Sequence, residues 1–229
     1  MNEYARRLTG MKLEGSTINF LGDSITEGAG VADPQNIYVN RIARMCGLKA
    51  ANNYGIGGTR IARQHTPSAE PRYDGDFCTR CTGMDPAADA IVVMGGTNDF
   101  GHGDAPLGTP DDRTPDTFWG ACHFLMRTLI ETYPDARIVI CTPLHRLNED
   151  SLIGDRKSAP VATLKTYVDI IRAVAEYYSL AVCDLYACSG LQPRVELVRE
   201  RFVPDGLHPN DAGHELLARH IAAFLSRLP

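Results

Sequence analysis

The chain has 229 residues, of which 44% are hydrophobic and 22% charged, with a formal net charge of −5. This length suits one domain with a generous core, expected to span residues 1–229, and the composition excludes a disordered chain. The acidic balance argues against a nucleic-acid partner, and without a long unbroken apolar run no membrane span is expected.

The stretch from Met1 to Gly15 carries Arg6, Arg7 and Lys12 but no apolar segment of the kind that marks a secretory signal. Most of the seven cysteines sit in apolar runs, as Cys46, Cys122, Cys141 and Cys183 do. That usage points to a reducing compartment with cysteine as a small core hydrophobe, so a cytoplasmic location is expected. Cys78-Thr79-Arg80-Cys81 is the one C-x-x-C, with no second ligand pair beside it. Two free loop thiols are therefore expected there, and no metal.

Thr17 to Leu21 forms an apolar, β-prone run that breaks at Gly22, and Ser24 follows at the carboxyl edge. Open α/β sheets bind their ligands at that edge. Asp23 and Glu27 suggest the first turn of a helix, whose free N–H groups favour developing negative charge. Read alone, Ser24 fits a helix cap as well as a nucleophile. A helix is expected from about Asn36 to Cys46, then a strand over Ala50–Tyr54 ending in Gly55-Ile56-Gly57-Gly58-Thr59. A nucleotide fingerprint would continue with glycine at position 60, where Arg60 stands. Gln64 to Met84 is polar and broken by prolines and glycines, and reads as loop.

Ala90 to Met94 is a continuous apolar strand for the centre of a buried sheet, ending at Gly95-Gly96-Thr97-Asn98-Asp99. Phe100 to Pro115 reads as a loop over the site. Thr114-Pro115-Asp116 supplies cap, first-turn proline and first-turn acid for a helix carrying Phe118, Cys122, Leu125 and Leu129. Arg137–Cys141 is a fourth strand, Pro160–Tyr178 a helix, Ala181–Leu185 a fifth strand and Asp211–Leu228 the last helix. Five strands alternating with helices give one doubly wound α/β domain with a parallel sheet.

In Pro204-Asp205-Gly206-Leu207-His208-Pro209-Asn210, two prolines and a glycine keep Asp205 and His208 on one tight turn. A carboxylate three residues before an imidazole can accept its Nδ1–H and leave Nε2 free as a base for a serine hydroxyl. The same turn also suits a simple loop hydrogen bond or a pair of metal ligands.

Taken together, Gly22-Asp23-Ser24-Ile25-Thr26, Asn53 to Gly58, Gly96-Thr97-Asn98-Asp99 and Asp205-x-x-His208 resemble, in order, the four signature blocks of the SGNH hydrolases, also called GDSL esterases. The resemblance implies a three-layer α/β/α sandwich on a five-stranded parallel sheet, flavodoxin-like in plan. It implies Ser24 as nucleophile with Asp205 and His208 completing a triad, and an oxyanion hole from Ser24, Gly58 and Asn98. Isoleucine replaces the family's leucine after the serine. The physical chemistry is consistent: acyl transfer creates an oxyanion, and one good donor aimed at it is worth about 3–4 kcal/mol. Outside that context, Asn98 would be an ordinary turn residue.

The expected activity is hydrolysis of a short-chain acyl or acetyl ester of a small molecule, without metal or cofactor, of carboxylesterase, O-acetylesterase or lysophospholipase/thioesterase type. A non-enzymatic flavodoxin-like module binding phosphate or flavin at the same edge is the competing reading, but it gives Asp205-x-x-His208 no role. The Phe100–Pro115 loop is the expected specificity element, with Phe100 and His102 as substrate contacts; a plain surface excursion is its alternative.

Overall fold

The computed structural model describes residues 10–228, so the reading of Arg6 and Arg7 lies outside the described residues. Five strands, β1 (Thr17–Gly22), β2 (Ala50–Gly55), β3 (Ala90–Met94), β4 (Arg137–Cys141) and β5 (Ala181–Cys183), form one sheet in the order β2-β1-β3-β4-β5. Every neighbouring pair is parallel. The helices are α1 (Ser24–Glu27), α2 (Tyr38–Cys46), α3 (Phe77–Arg80), α4 (Thr97–Gly101), α5 (Phe118–Thr132), α6 (Leu164–Tyr177), α7 (Leu185–Cys188), α8 (Glu196–Phe202) and α9 (Asp211–Leu225). The doubly wound parallel sheet expected from the alternation is the fold observed.

The period-two alternation of the central strand divides its side chains between two cores. Ile91 and Val93 face a core with Phe118, Leu125 and Leu129 of α5 and Val168 and Ile171 of α6. Ala90, Val92 and Met94 face the other, with Tyr38, Val39 and Ile42 of α2 and Leu217, Ile221 and Leu225 of α9. Both faces are thus covered, which is why β3 is apolar at every position.

Several boundaries differ from expectation, each for a local reason. The cap of α5 is Thr117, whose Oγ1 accepts the Gly120 N–H at 3.1 Å; Thr114 lies outside the helix. α6 begins at Leu164 because the preceding Val161 pairs its N–H with Leu152 O and stays exposed. β5 stops at Cys183 because the Asp184 side chain turns back to cap α7 through the Ala187 N–H. The last helix ends at Leu225, although Leu228 is still buried and bonded to Met11. Within the expected loop from Gln64 to Met84 the chain forms a turn of 3₁₀-helix at Pro71–Asp74, α3 and a second turn at Cys81–Gly83. Cys78 and Cys81 are free thiols, but both are buried in the core and not in a loop. Cys78 Sγ donates to the carbonyls of Ile61 and Ala121, and burial pushes both thiols above their ordinary range.

With β1 connecting outward to β2 and the chain then crossing to β3, the strand order reverses between β1 and β3. Ligands of open α/β sheets sit in the crevice at such a switch point. The ends of β1 and β3 lead directly into α1 and α4, which begin with Ser24 and Thr97.

Candidate active site

The turn from β1 into α1 is fixed by small distances. A Cβ at Gly22 would lie 1.9 Å from Thr26 Oγ1, so a side chain there would push α1 off the strand. Asp23, and not Ser24, is the helix cap: its Oδ1 accepts the Ile25 N–H at 3.0 Å. Ser24 is therefore released from capping and stands first in the helix, with Oγ 3.0 Å from His208 Nε2. Asp23 is almost fully buried, and loss of solvation pushes its pKa up to about 6 against the opposing pull of the Ile25 N–H, His208 and Arg80.

The other half of the dyad is built within one turn. Asp205 Oδ2 lies 2.7 Å from His208 Nδ1, while Oδ1 accepts the N–H groups of Leu207 at 2.9 Å and His208 at 2.7 Å. Partial burial pushes Asp205 up, but those backbone donors and the imidazole outweigh it and hold the carboxyl below its ordinary range. An ionised Asp205 can only accept, so Nδ1 carries the proton and Nε2 presents its lone pair to Ser24. Gly206, at φ +79°, makes the turn tight enough for the three-residue spacing to work.

Gly58 and Asn98 come to this edge from β2 and β3. Gly58 has φ +75°, and a Cβ on it would meet the Tyr73 ring at 2.9 Å. Glu27 Oε2 accepts the Gly57 N–H at 2.7 Å and is held in place by Arg72. Asn98 is buried in α4, where its Nδ2 donates to Thr59 O at 2.9 Å and keeps its second N–H free. Asp99 adds a second clamp between the same segments, its two oxygens accepting the Ile61 and Ala62 N–H groups, each at 2.9 Å. Arg80 completes the frame by donating to Tyr54 O, Gly22 O and Thr59 Oγ1. The N–H groups of Ser24 and Gly58 have no protein acceptor among the described residues. The edge thus offers a hydroxyl beside a bare imidazole nitrogen and three donors from three different strand ends. That set suits attack on a carbonyl and stabilisation of the oxyanion that results.

Phe100 does not reach this edge. Its backbone already belongs to α4, and its side chain is fully buried against Tyr167 and Arg146, so it has no surface to offer a substrate. His102 closes α4 and lines a cavity with Arg60, Gln64, Ser68, Ala69, Glu70, Tyr73 and Arg156. The rest of the Phe100–Pro115 segment turns away: Asp104 accepts the His65 and Thr66 N–H groups, and Arg113 lies over the Tyr177 ring. Sequence reasoning does not single out the clamps Asp99, Glu27 and Arg80 or the cavity residues Arg60, Gln64, Tyr73 and Arg156. Glu27 and Asp99 enter it as a first-turn acid and as part of a signature block but without their clamping roles, and Arg60 only as a glycine that is absent, while Gln64, Tyr73, Arg80 and Arg156 fall in segments with no periodic pattern.

A profile of the GDSL-like lipase/acylhydrolase family matches residues 20–216. Among solved structures, one is 34% identical to this chain with a TM-score of 0.80, over 94% of this chain and 98% of the other. A protein from Lactobacillus plantarum is 28% identical, with a TM-score of 0.79 over 93% of this chain and 97% of its own. A two-domain esterase active on acetylated mannans shares the fold at 21% identity and a TM-score of 0.58, over 95% of this chain and 52% of its own. No curated protein matched the chain. No helix among the described residues is long and apolar enough to cross a membrane.

Proposed function

We propose that this chain, which belongs to the GDSL-like lipase/acylhydrolase family, is an esterase that hydrolyses short-chain acyl esters through an acyl-enzyme on Ser24. The observation that carries the reading is the unbroken run from Ser24 Oγ to His208 Nε2 at 3.0 Å and from His208 Nδ1 to Asp205 Oδ2 at 2.7 Å.

In the first half-reaction Ser24 Oγ attacks the carbonyl carbon while its proton passes to His208 Nε2. The carbonyl oxygen becomes an oxyanion facing the N–H groups of Ser24 and Gly58 and the free N–H of Asn98. The intermediate collapses by breaking the bond to the alkoxy oxygen, which leaves with the proton held on His208. Water then attacks the acyl-serine and gives one proton to His208. That proton returns to Ser24 as the acid departs, so the enzyme ends as it began. Asp205 stays ionised throughout, orienting the imidazole and stabilising the imidazolium formed in each half-reaction. The chain's own residues supply nucleophile, base and oxyanion donors, so the mechanism calls on no metal or cofactor.

The test is a panel of acetyl, butyryl and octanoyl esters assayed with wild type beside Ser24→Ala. The reading predicts turnover highest on the shortest acyl groups and lost with the hydroxyl. Activity retained above a few per cent in Ser24→Ala would assign the chemistry to another group.

A further inference from the structure

α4 carries the oxyanion donor Asn98 but has little of its own to hold it in place. It is five residues long, every one of them buried, and Gly96 at its start has no side chain to cap with. A helix this short does not sustain itself, and its buried terminal carbonyls need partners. On one side the Asn98 and Asp99 side chains tie it to Thr59, Ile61 and Ala62. The other side is met by the segment from Arg146 to Lys157, which lies between β4 and α6.

Arg146 is 5% exposed. Its guanidinium donates to Thr97 Oγ1 at 3.2 Å and Thr97 O at 3.3 Å, and to the two carboxylate oxygens of Asp155 at 2.6 and 2.8 Å. The N–H groups of Asp155 and Arg156 then donate to Gly101 O at 2.7 and 3.3 Å. Lys157 Nζ donates to Asp99 O at 2.6 Å and to Gly103 O. The Arg146–Asp155 pair thus joins the first residue of α4 to its last through groups outside the helix. The fit is close: a Cβ at Gly101 would stand 2.5 Å from Asp155 Oδ2, and one at Gly154 2.2 Å from Phe100 O.

We propose that Arg146 and Asp155 are positioning residues for the reaction, their ion pair setting where Asn98 holds its free N–H in the oxyanion hole. The assignment rests on the esterase reading, since it gives the pair its effect through an oxyanion. Stability alone explains the pair poorly. A buried ion pair gains little net stability because desolvation offsets its attraction, and Arg146 Nε, buried with no partner among the described residues, adds to the cost. A planar guanidinium does supply bonds in two directions at fixed angles. Placement is what an oxyanion donor needs, because a shift of about 1 Å can cost about a hundredfold in rate. The same segment also touches the catalytic turn, where the Leu147 N–H donates to Gly206 O at 3.0 Å, so the test has to separate the two routes.

The experiment measures kcat and KM on a nitrophenyl acetate, across pH, for Arg146→Gln and Asp155→Asn, each made alone and together with Asn98→Ala. Far-UV circular dichroism checks that every variant is folded. Alone, Arg146→Gln should lower kcat by about ten- to hundredfold and Asp155→Asn by about three- to tenfold, with KM changed by less than about twofold. In the Asn98→Ala protein each should cost less than about twofold, because the donor they place is gone. The pH dependence should stay that of wild type, since the Asp205–His208 pair is untouched. Costs that are the same with and without Asn98 would overturn the proposal, and a shifted pH profile beside them would move the effect to the catalytic turn. An unchanged kcat, or a raised KM alone, would overturn it too. Should Arg146→Gln not fold, Asp155→Asn decides alone, its side chain being 36% exposed. No hydrolysis by wild type, or full activity in Asn98→Ala, would instead sink the esterase reading or its oxyanion hole, and the positioning role with it.

Discussion

Replacing Asp23 with asparagine separates stability from catalysis at this site. Asp23 is 1% exposed, and its carboxyl is pushed up from 3.8 to about 6 chiefly by burial. Between those two pH values the folded protein holds a proton that the unfolded chain has released. The stabilisation is therefore complete below about pH 4 and is lost as pH rises through 6. At 1.36 kcal/mol for each pH unit, the interval corresponds to about 3 kcal/mol by pH 8. The asparagine side chain would keep an oxygen for the Ile25 N–H while carrying no charge. Asp23→Asn should thus be more stable than wild type at pH 8 by up to about 3 kcal/mol, or about 6–10 °C for a chain of this size. At pH 4 the advantage should vanish. The same change removes a negative charge near His208, which the reaction makes cationic, so kcat should fall by about three- to tenfold. Urea titrations at pH 4.5 and pH 8, with kcat measured on a simple acetate ester, check both halves. A stability difference that does not grow between the two pH values would refute the claim that a buried charge is borne here.

Asp205→Asn places an amide N–H or a weaker acceptor beside His208 Nδ1, favouring the tautomer with Nε2 protonated, and should lower kcat by about 10³–10⁴ in steady-state assays. Asn98→Ala removes the oxyanion donor from α4 and should lower kcat by about 10²–10³ with little change in KM. The lost bond to Thr59 should show separately, as a drop of about 1 kcal/mol in a denaturant titration. Ser24→Ala should leave the thermal midpoint within about 2 °C of wild type, because Asp23 and not Ser24 makes the capping bond.

The parts legible from sequence are those whose physics is local. β3 shows itself because a strand buried on both faces has no polar position, and α5 because its apolar residues recur at helical spacing. Asp205 and His208 are legible because both partners sit on one turn that prolines and a glycine exclude from helix. The segment from Gln64 to Met84 is not, because its helical pieces last only three or four residues and carry no period, yet Phe77, Cys78 and Cys81 in it are core. α8 escapes for the opposite reason: none of its residues is buried, so no apolar stripe marks it. Phe100 is misplaced because the glycines around it read as loop, whereas α4 continues through Gly101 and turns the ring inward. The clamps of Asp99 on Ile61 and Ala62, and of Glu27 on Gly57, join positions thirty or more apart, and no spacing in the sequence announces such a pair.

The central claim is that Ser24 is a nucleophile activated by His208, and covalent labelling tests it most directly. Wild type would be treated with a fluorophosphonate probe, digested, and the modified residue located by mass spectrometry, with His208→Ala treated in parallel. The account predicts one probe per chain, attached to Ser24, and labelling slowed by at least about a hundredfold in His208→Ala. Attachment at another residue, or labelling of Ser24 at the same rate without His208, would contradict it.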